Sequence, residues 1–248
     1  MIDSHCHLDF EIFDKDLDKI INQNKVSKFI IPAISINNFT KIKKITKTYP
    51  QCYGAYGLHP WMIEQHHEED IIILDNFLNK NTSVAVGEIG IDLFNQFKGS
   101  KEKQQWFFIK QLELAQKYKL PIIIHSRKSV DLIYEILKDF KDITGVFHGY
   151  SGSLQQAENL ITRGFYLGVG SILTYPNTKI RQVIQQIPLE KIILETDAPS
   201  HSPNGIKTNH NEPKYLKNII EAIAEIKQTS IDKIEKITDK NTKELFKI

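Results

Sequence analysis

Two histidines stand one residue apart near the start of the chain. His5 and His7 lie in the run Ile2-Asp3-Ser4-His5-Cys6-His7-Leu8, before any helical pattern begins. Side chains alternate between the two faces of a β-strand, so both imidazoles would project to one side and Cys6 to the other. Neutral imidazole is the commonest protein ligand for metal ions, and the pair could therefore hold one. An isolated His-x-His is equally compatible with an ordinary surface pair.

Further residues with metal-binding side chains recur downstream, each after a short apolar run. They are Glu88, His125, His148 and Asp197. With the N-terminal pair they make four imidazoles and two carboxylates, more than the three protein ligands that one tetrahedral catalytic ion takes. The set suits two divalent ions about 3.5–4 Å apart, with one carboxylate spanning both.

The ligands divide into two predicted groups. We expect the N-terminal pair and Asp197 to hold one ion, His125 and His148 to hold the other, and Glu88 to bridge them. Two divalent ions lower the pKa of a bound water and neutralise the oxygens of a phosphoryl or carbonyl group under attack. Asp197 could also accept a proton from that water, so Glu88 and Asp197 are the predicted catalytic residues. Such ligands admit Zn²⁺, Mn²⁺ or, with more carboxylate and water, Mg²⁺.

Eight short apolar runs alternate with amphipathic helical patterns and must position these residues. The predicted strands are residues 2–8, 28–32, 51–58, 83–90, 122–125, 144–148, 165–170 and 191–197. The predicted intervening helices are 11–24, 35–48, 68–79, 101–119, 129–140, 153–163 and 177–187. Strictly alternating apolar strands and helices are typical of a parallel sheet closed into an α/β TIM (β/α)8 barrel. Such a barrel takes about 250 residues, so we expect one domain over residues 1–248.

The barrel explains how distant residues could form one site. Active sites of such barrels gather at the carboxyl ends of the strands. All six ligand-type residues stand at or just past the carboxyl end of a predicted strand, so closure of the sheet would bring them together. The long irregular stretch 198–213 follows Asp197 directly and could wall the substrate pocket.

Composition excludes several classes of protein. The chain has 41% hydrophobic and 25% charged residues, which is typical of a globular protein with an ample core. Its net charge of +2, from 32 basic and 30 acidic residues, does not suggest attachment to nucleic acid by bulk charge.

Cys6 and Cys52 lie in apolar runs and suit reduced thiols. With no signal peptide and no apolar run of about 18 residues, we expect a cytoplasmic location without a membrane span.

Seven motifs are spread in order over residues 2–213. They are Asp3-Ser4-His5-Cys6-His7-Leu8-Asp9, Gly57-Leu58-His59-Pro60, Gly87-Glu88-Ile89-Gly90-Ile91-Asp92, Pro121-Ile122-Ile123-Ile124-His125-Ser126-Arg127, Phe147-His148-Gly149-Tyr150-Ser151-Gly152-Ser153, Leu194-Glu195-Thr196-Asp197-Ala198-Pro199 and Asn211-Glu212-Pro213. In this combination the chain resembles the TatD family of metal-dependent deoxyribonucleases, among the amidohydrolase-like barrels.

The resemblance implies a TIM barrel with a two-metal site on the six ligand-type residues. It also implies hydrolysis of phosphodiester bonds in DNA, and we expect a 3′-5′ exonuclease acting on single-stranded or frayed 3′ ends. No obligate protein partner is implied, and we expect a monomer. The chain departs from the family at Gly149-Tyr150, where Cys-Phe is usual, and at Ser200, where Tyr is usual. Both departures could alter the grip on a base or sugar.

Several motif residues have two possible roles. His59 could contact a substrate phosphate or be a hydrogen-bonded structural histidine beside Pro60. Arg127 could clamp a phosphate bidentately or pair with a loop carboxylate. Asp92 is expected to orient a neighbouring loop or a residue that supports the metal ligands from behind. Glu195 could hydrogen-bond a metal ligand or form an ion pair inside the barrel.

Two other functions compete with nuclease activity. A zinc-dependent amidohydrolase or lactonase on the same barrel commonly has a carboxylated lysine between its metals, and Glu88 at the predicted bridge weighs against it. A degenerate barrel that only binds a ligand is disfavoured because all six ligand types are present.

Overall fold

The computed structural model describes residues 1–22, 25–94 and 99–248. Eight parallel strands in these residues form one sheet in the order of the sequence. They are β1 (Ile2–Asp3), β2 (Lys28–Pro32), β3 (Cys52–Tyr56), β4 (Ala85–Asp92), β5 (Ile122–Arg127), β6 (Gly145–Phe147), β7 (Tyr166–Val169) and β8 (Ile192–Leu194). The predicted strands and their order are confirmed, although β1, β3, β6, β7 and β8 are shorter than predicted.

Contacts between the first and last strands bring the sheet nearly to closure. The backbone N–H of Ser4 donates to the carbonyl oxygen of Leu194 at 3.0 Å. Beyond the ends of both strands, Cys6 and Ala198 form a parallel bridge, and the N–H of His7 donates to the Ala198 carbonyl at 2.8 Å. A sheet of eight parallel strands joined in this way is the predicted TIM barrel.

Helices cover the outside of the barrel. They are α1 (Leu17–Asn22), α2 (Ile36–Thr48), α3 (Glu69–Lys80), α4 (Lys101–Tyr118), α5 (Val130–Leu137), α6 (Leu154–Thr162), α7 (Lys179–Gln186), α8 (Leu216–Lys227) and α9 (Ile231–Phe246). Helix α2 shows why they form, because Phe39, Ile42 and Ile45 recur at intervals of three residues and are all buried. A 3₁₀ turn at Glu11–Phe13 precedes α1. The predicted helix 11–24 is thus divided, and its positions 23 and 24 lie outside the described residues.

The interior of the barrel has an apolar layer at its base. One member comes from each of six strands and two come from the end of α9, and they are Ile30, Ala55, Ala85, Ile123, Val146, Ile193, Leu245 and Phe246. Neighbouring strand positions such as Ile122, Ile124 and Phe147 point the other way and pack in the larger core with the helices. Leu245 and Phe246 therefore close the amino-terminal end of the barrel.

Across the described ranges of the chain, no helix is long and apolar enough to cross a membrane.

Candidate metal centre

The N-terminal histidine pair lies at the carboxyl end of β1, where the chain has already left the regular strand. Asp3 is fully buried, and its carboxylate accepts hydrogen bonds from the Thr196 hydroxyl at 2.6 Å and from the backbone N–H groups of Thr196 and His5. The Nε2 atoms of His5 and His7 lie 3.2 Å apart. The two rings therefore lie on one side, as predicted, although β1 ends two residues before His5.

The carboxylate of Glu88 lies at the middle of the site. Its Oε2 is 3.1 Å from His5 Nε2 and 3.8 Å from His7 Nε2. Its Oε1 is 3.1 Å from one nitrogen of each of three other imidazoles, those of His59, His125 and His148. The two oxygens thus face two different sets of histidines, which is the arrangement that a bridging carboxylate requires.

Irregular backbone in β4 positions Glu88. The register between β4 and β5 shifts between Val86 and Ile89, so Glu88 lies where the regular pleat is interrupted. Gly90 follows with φ +146°, and a Cβ at this position would lie 2.0 Å from the carbonyl oxygen of His125. Only glycine allows this approach of the two strands, which explains the second glycine of the Gly-Glu-Ile-Gly pattern.

Asp197 lies just past β8 in the left-handed region of backbone conformation, with φ +55°, which aspartate tolerates better than most residues. Its N–H donates to the carbonyl oxygen of His5 at 2.9 Å. Its Oδ1 lies 3.7 Å from the Nε2 atoms of both His5 and His7. About 24% of its side chain is exposed, whereas those of His5, His7 and Glu88 are at most 8% exposed. Asp197 is therefore the member of this group that faces the opening.

Two further carboxylates hold the downstream histidines from behind. His125 points Nδ1 at Glu88 and Nε2 at Asp92, whose Oδ2 is 3.1 Å away. His148 points Nε2 at Glu88, and its Nδ1 lies 3.2 Å from Glu195 Oε1. A carboxylate behind a metal-binding histidine fixes the ring and its tautomer. Glu195 therefore supports a metal ligand, which was one of its two possible roles, and Asp92 supports one directly, which the sequence did not predict.

His59 is buried, and its hydrogen bonds fix its tautomer. The backbone N–H of Trp61 donates to His59 Nδ1 at 2.9 Å, so this nitrogen must be unprotonated. The proton of the neutral ring then lies on Nε2, which donates to Glu88 Oε1 at 3.1 Å. This is the hydrogen-bonded histidine of the second alternative, while a contact of His59 with substrate phosphate stays a prediction.

Arg127 lies at the rim, at the end of β5. It is exposed, and its guanidinium carbon is 3.7 Å from the centre of the Phe94 ring. No carboxylate of residues 1–22, 25–94 or 99–248 lies within ion-pair distance of it, so the alternative of a salt bridge there is not observed. Its role in clamping a phosphate stays a prediction.

Burial and neighbouring charges set the protonation of the cluster. Burial lowers the pKa of His7 to about 3 and that of His59 to about 4. Burial alone would raise the pKa of Glu88, but the imidazoles of His59, His148 and His5 outweigh it and hold this pKa well below its usual range. Burial raises the pKa of Asp197. A charged Glu88 beside a neutral His7 has the protonation that metal binding needs. Burial alone would lower the pKa values of His125 and His148, but the carboxylates that face them raise both, so these two imidazoles would have to release a proton to a bound metal.

The donor set fits divalent cations. Three groups of side chains have ligand atoms that all lie within 4.8 Å of one another, namely His5, His7 and Asp197; His5, Glu88 and His148; and His59, Glu88 and His125. Five imidazoles face one buried carboxylate, and nitrogen and carboxylate donors together suit Zn²⁺ or Mn²⁺. His5 Nε2 lies close to both His7 Nε2 and Glu88 Oε2, and one proton cannot satisfy all three atoms. A bound cation could accept a lone pair from each of them.

These groups agree with part of the predicted division of ligands. The N-terminal pair and Asp197 come together as predicted. His125 and His148 do not share a group, since each joins Glu88 with a different third histidine. His59, which was predicted to bind substrate, lies in one of these groups, although its fixed tautomer leaves no lone pair on Nε2.

Trp61 and Asp3 were not among the predicted site residues. The indole Nε1–H of Trp61 donates to Asp92 Oδ2 at 2.7 Å, and Asp3 anchors the ends of β1 and β8. The sequence offered a weak signal for Trp61, which directly follows the His59-Pro60 pair. Asp3 had none beyond its place in a motif.

Comparisons with known proteins agree with this geometry. A family model described as TatD related DNase matches residues 2–247. The chain is 40% identical to YjjV of Escherichia coli, an uncharacterized metal-dependent hydrolase, over 100% of this chain and 98% of the relative. It is 30% identical to a putative deoxyribonuclease, tatdn3, of Danio rerio, over 99% and 96% of the two chains. The crystal structure of YjjV, a TatD homolog from E. coli, superimposes with a TM-score of 0.95 at 38% identity, covering 100% of this chain and 98% of that one.

Proposed function

We propose that this chain, which belongs to the TatD-related DNase family of metal-dependent hydrolases, is a deoxyribonuclease that hydrolyses phosphodiester bonds with the aid of divalent metal ions. Its substrate would be DNA with single-stranded or frayed 3′ ends, degraded in the 3′-5′ direction. The name of the family and that of the zebrafish relative support a nucleic acid substrate.

The observation that carries the proposal is the position of Glu88. One oxygen of this buried carboxylate faces His5 and His7, and the other faces His125 and His148. A carboxylate shared between two sets of imidazoles suits two cations, and two-metal sites are common in enzymes that hydrolyse phosphate esters. When bound, the ions would polarise the phosphoryl oxygens and lower the pKa of the attacking water.

The side chains of the chain itself would complete the site. Asp197 faces the opening beside His5 and His7, so its carboxylate could accept the proton of the attacking water. Asp92 and Glu195 would keep His125 and His148 in one orientation. Arg127, exposed at the rim without a carboxylate partner among the described residues, is free to bind a phosphate of the strand.

The amidohydrolase or lactonase alternative gains no support from the site. A carboxylated lysine would have to lie between the two sets of ligands. The buried polar residues that the structure describes include no lysine, and the central position is taken by Glu88.

The proposal is tested by metal analysis and product mapping on the purified protein. Chelation should abolish hydrolysis, and Mg²⁺ or Mn²⁺ should restore it. Oligonucleotides labelled at the 5′ or 3′ end, in single- and double-stranded form, should release 5′-mononucleotides from the 3′ end. Hydrolysis of lactones or amides by a protein that leaves every oligonucleotide intact would contradict the proposal.

A further inference from the structure

Trp61 is an exposed aromatic residue beside the metal centre. It lies in the 3₁₀ turn Pro60–Gln65 that follows β3, and 47% of its surface is exposed. An indole whose N–H is bonded to a buried carboxylate while its ring stays exposed has the arrangement that makes tryptophan common at binding surfaces. Nothing in the proposed hydrolysis itself requires an indole at this position.

The indole is held in one orientation without any ligand. Its Nε1–H donates to Asp92 Oδ2, the same oxygen that lies 3.1 Å from His125 Nε2. The ring meets His59 at 64° and His125 at 71°, with centroids 5.0 and 5.6 Å away, so neither imidazole lies flat against it. A fixed aromatic plane loses little conformational entropy when a ligand stacks on it.

Two cationic residues lie near Asp92, the carboxylate that holds Trp61, and one of them, Arg127, is the partner of Asp92 in the register of β4 and β5. The backbone N–H of Phe94 donates to Asp92 Oδ1 at 2.8 Å, which ties Phe94 to the carboxylate that also holds Trp61. Arg127 and Lys128 lie 3.7 and 4.7 Å from the centre of the Phe94 ring, and both are exposed. An anionic chain could therefore bind next to the indole.

We propose that Trp61 is the stacking platform for the nucleobase of the 3′-terminal nucleotide, the one that is released. This inference rests on the proposed nuclease function. A nucleotide strand is the ligand that combines a flat aromatic group with closely spaced anions. This rim offers an exposed indole held by Asp92 and two exposed cations against Phe94, whose backbone the same carboxylate holds. Because every base has an aromatic face, such stacking is tolerant of sequence.

Trp61 could instead act only by holding Asp92, and through it His125. Two substitutions separate these roles. Trp61→Phe keeps an aromatic ring but loses the Nε1–H donor, whereas Trp61→Leu loses both. Stacking predicts that Trp61→Leu raises KM for a single-stranded oligonucleotide about tenfold, with a smaller rise for Trp61→Phe. Equal effects of the two substitutions, confined to kcat, would overturn the stacking role.

An oligonucleotide with an abasic 3′-terminal residue makes the test specific. Wild type should lose about tenfold in kcat/KM on the abasic substrate, while Trp61→Leu should treat both substrates alike. Ile72→Ala, at an exposed position of α3, is the matched control and should behave as wild type. A Trp61→Leu protein that still prefers the base-bearing end as strongly as wild type would refute the inference.

Fluorescence gives a readout that is independent of turnover and of the Leu variant. Trp61 and Trp106 are the two tryptophans of the chain, so Trp106→Phe leaves the indole of Trp61 as the reporter. A deoxynucleoside 5′-monophosphate should quench it, and deoxyribose 5-phosphate should not. Equal responses to both would overturn the stacking role.

The failure of the proposed function and the failure of this inference can be told apart. If wild type cleaves no DNA, the proposed function is wrong, whereas cleavage that does not depend on the terminal base contradicts only the inference.

Discussion

One pleat of the sheet separates the chemistry at the mouth of the barrel from the apolar packing at its base. On β5, Ile123 belongs to the base and His125, two residues later, lies beside Glu88. Along β6 and the residue that follows it, Val146 belongs to the base and His148 lies beside Glu88. Residues two apart on a strand share a face, so the same interior column changes from apolar to polar within one step.

The two layers contribute oppositely to stability. Removing the apolar side chains of the base from water stabilises the fold. Burying Glu88 and its histidines costs free energy unless every polar atom finds a partner. The residues at the mouth therefore serve the chemistry of the site and add little to the stability of the fold. Substitutions at the mouth should therefore impair catalysis first, and substitutions at the base should impair folding first.

The largest effect is expected at Glu88. Glu88→Gln keeps the size of the side chain but removes the charge that both sets of imidazoles face. We expect hydrolysis of an oligonucleotide to fall on the order of a thousandfold or more, because the metal ions would lose their shared ligand. The apolar base is untouched, so circular dichroism should show a folded barrel. If this variant hydrolysed the oligonucleotide at the wild-type rate, the assignment of catalysis to the mouth and of stability to the base would be wrong.

The opposite result is expected for Ile193→Ala in the base. Ile193 is fully buried in the apolar layer, and truncation should lower the free energy of unfolding by about 2–5 kcal/mol. Urea unfolding measures this loss, and the bound metal per folded molecule should stay as in wild type. Ile72→Ala, whose side chain is 62% exposed, should change stability by less than about 0.5 kcal/mol. Loss of metal from folded Ile193→Ala would show that the layers are coupled.

A smaller effect should follow from loosening a metal ligand from behind. Asp92→Asn removes the charge that faces His125 Nε2 and should weaken metal binding about 10- to 100-fold. Competition with a chelator measures this affinity. Asp75→Asn on α3 makes the same chemical change beside Lys117 and should leave the affinity unaltered. Unchanged metal binding in Asp92→Asn would mean that His125 does not depend on Asp92 to bind the metal.

The smallest effect is expected at the junction of the two layers. Thr196→Val removes the hydroxyl that donates to Asp3 Oδ2, while the backbone N–H groups of Thr196 and His5 still reach the other oxygen. We expect the free energy of unfolding to fall by about 1 kcal/mol. Thr196→Ser keeps the donor and should lose less, by the same urea titration. A loss as large as that of Ile193→Ala would place Asp3 and Thr196 among the main supports of the fold.

Local patterns were sufficient for the fold and for the ligand types. Apolar runs separated by amphipathic helices gave the number and order of the strands, because the periods of strand and helix are properties of neighbouring residues. His125 and His148 stand at the ends of such runs, and the sequence alone assigns them to the mouth of the barrel, because parallel strands all end at the same face.

The sequence also predicted that Asp197 joins the N-terminal histidines and that Glu88 bridges two sets of ligands, but it could not show the backbone geometry that places them. The fixed tautomer of His59 depends on a turn, and the place of Asp197 depends on a backbone that leaves β8 with a positive φ. The division of Glu88 between two sets of imidazoles depends on a shift of register that no periodicity shows.

The sequence by itself determined an eight-stranded barrel and the side chains that could bind metal at its mouth. The tertiary structure alone decided which carboxylate supports which histidine, and that Trp61 stands exposed beside them. The physical reason is the separation along the chain of the residues that interact. Hydrophobic periodicity is set by residues a few positions apart, whereas these contacts join residues from separate strands and loops, whose distances exist only once the sheet has curved towards closure.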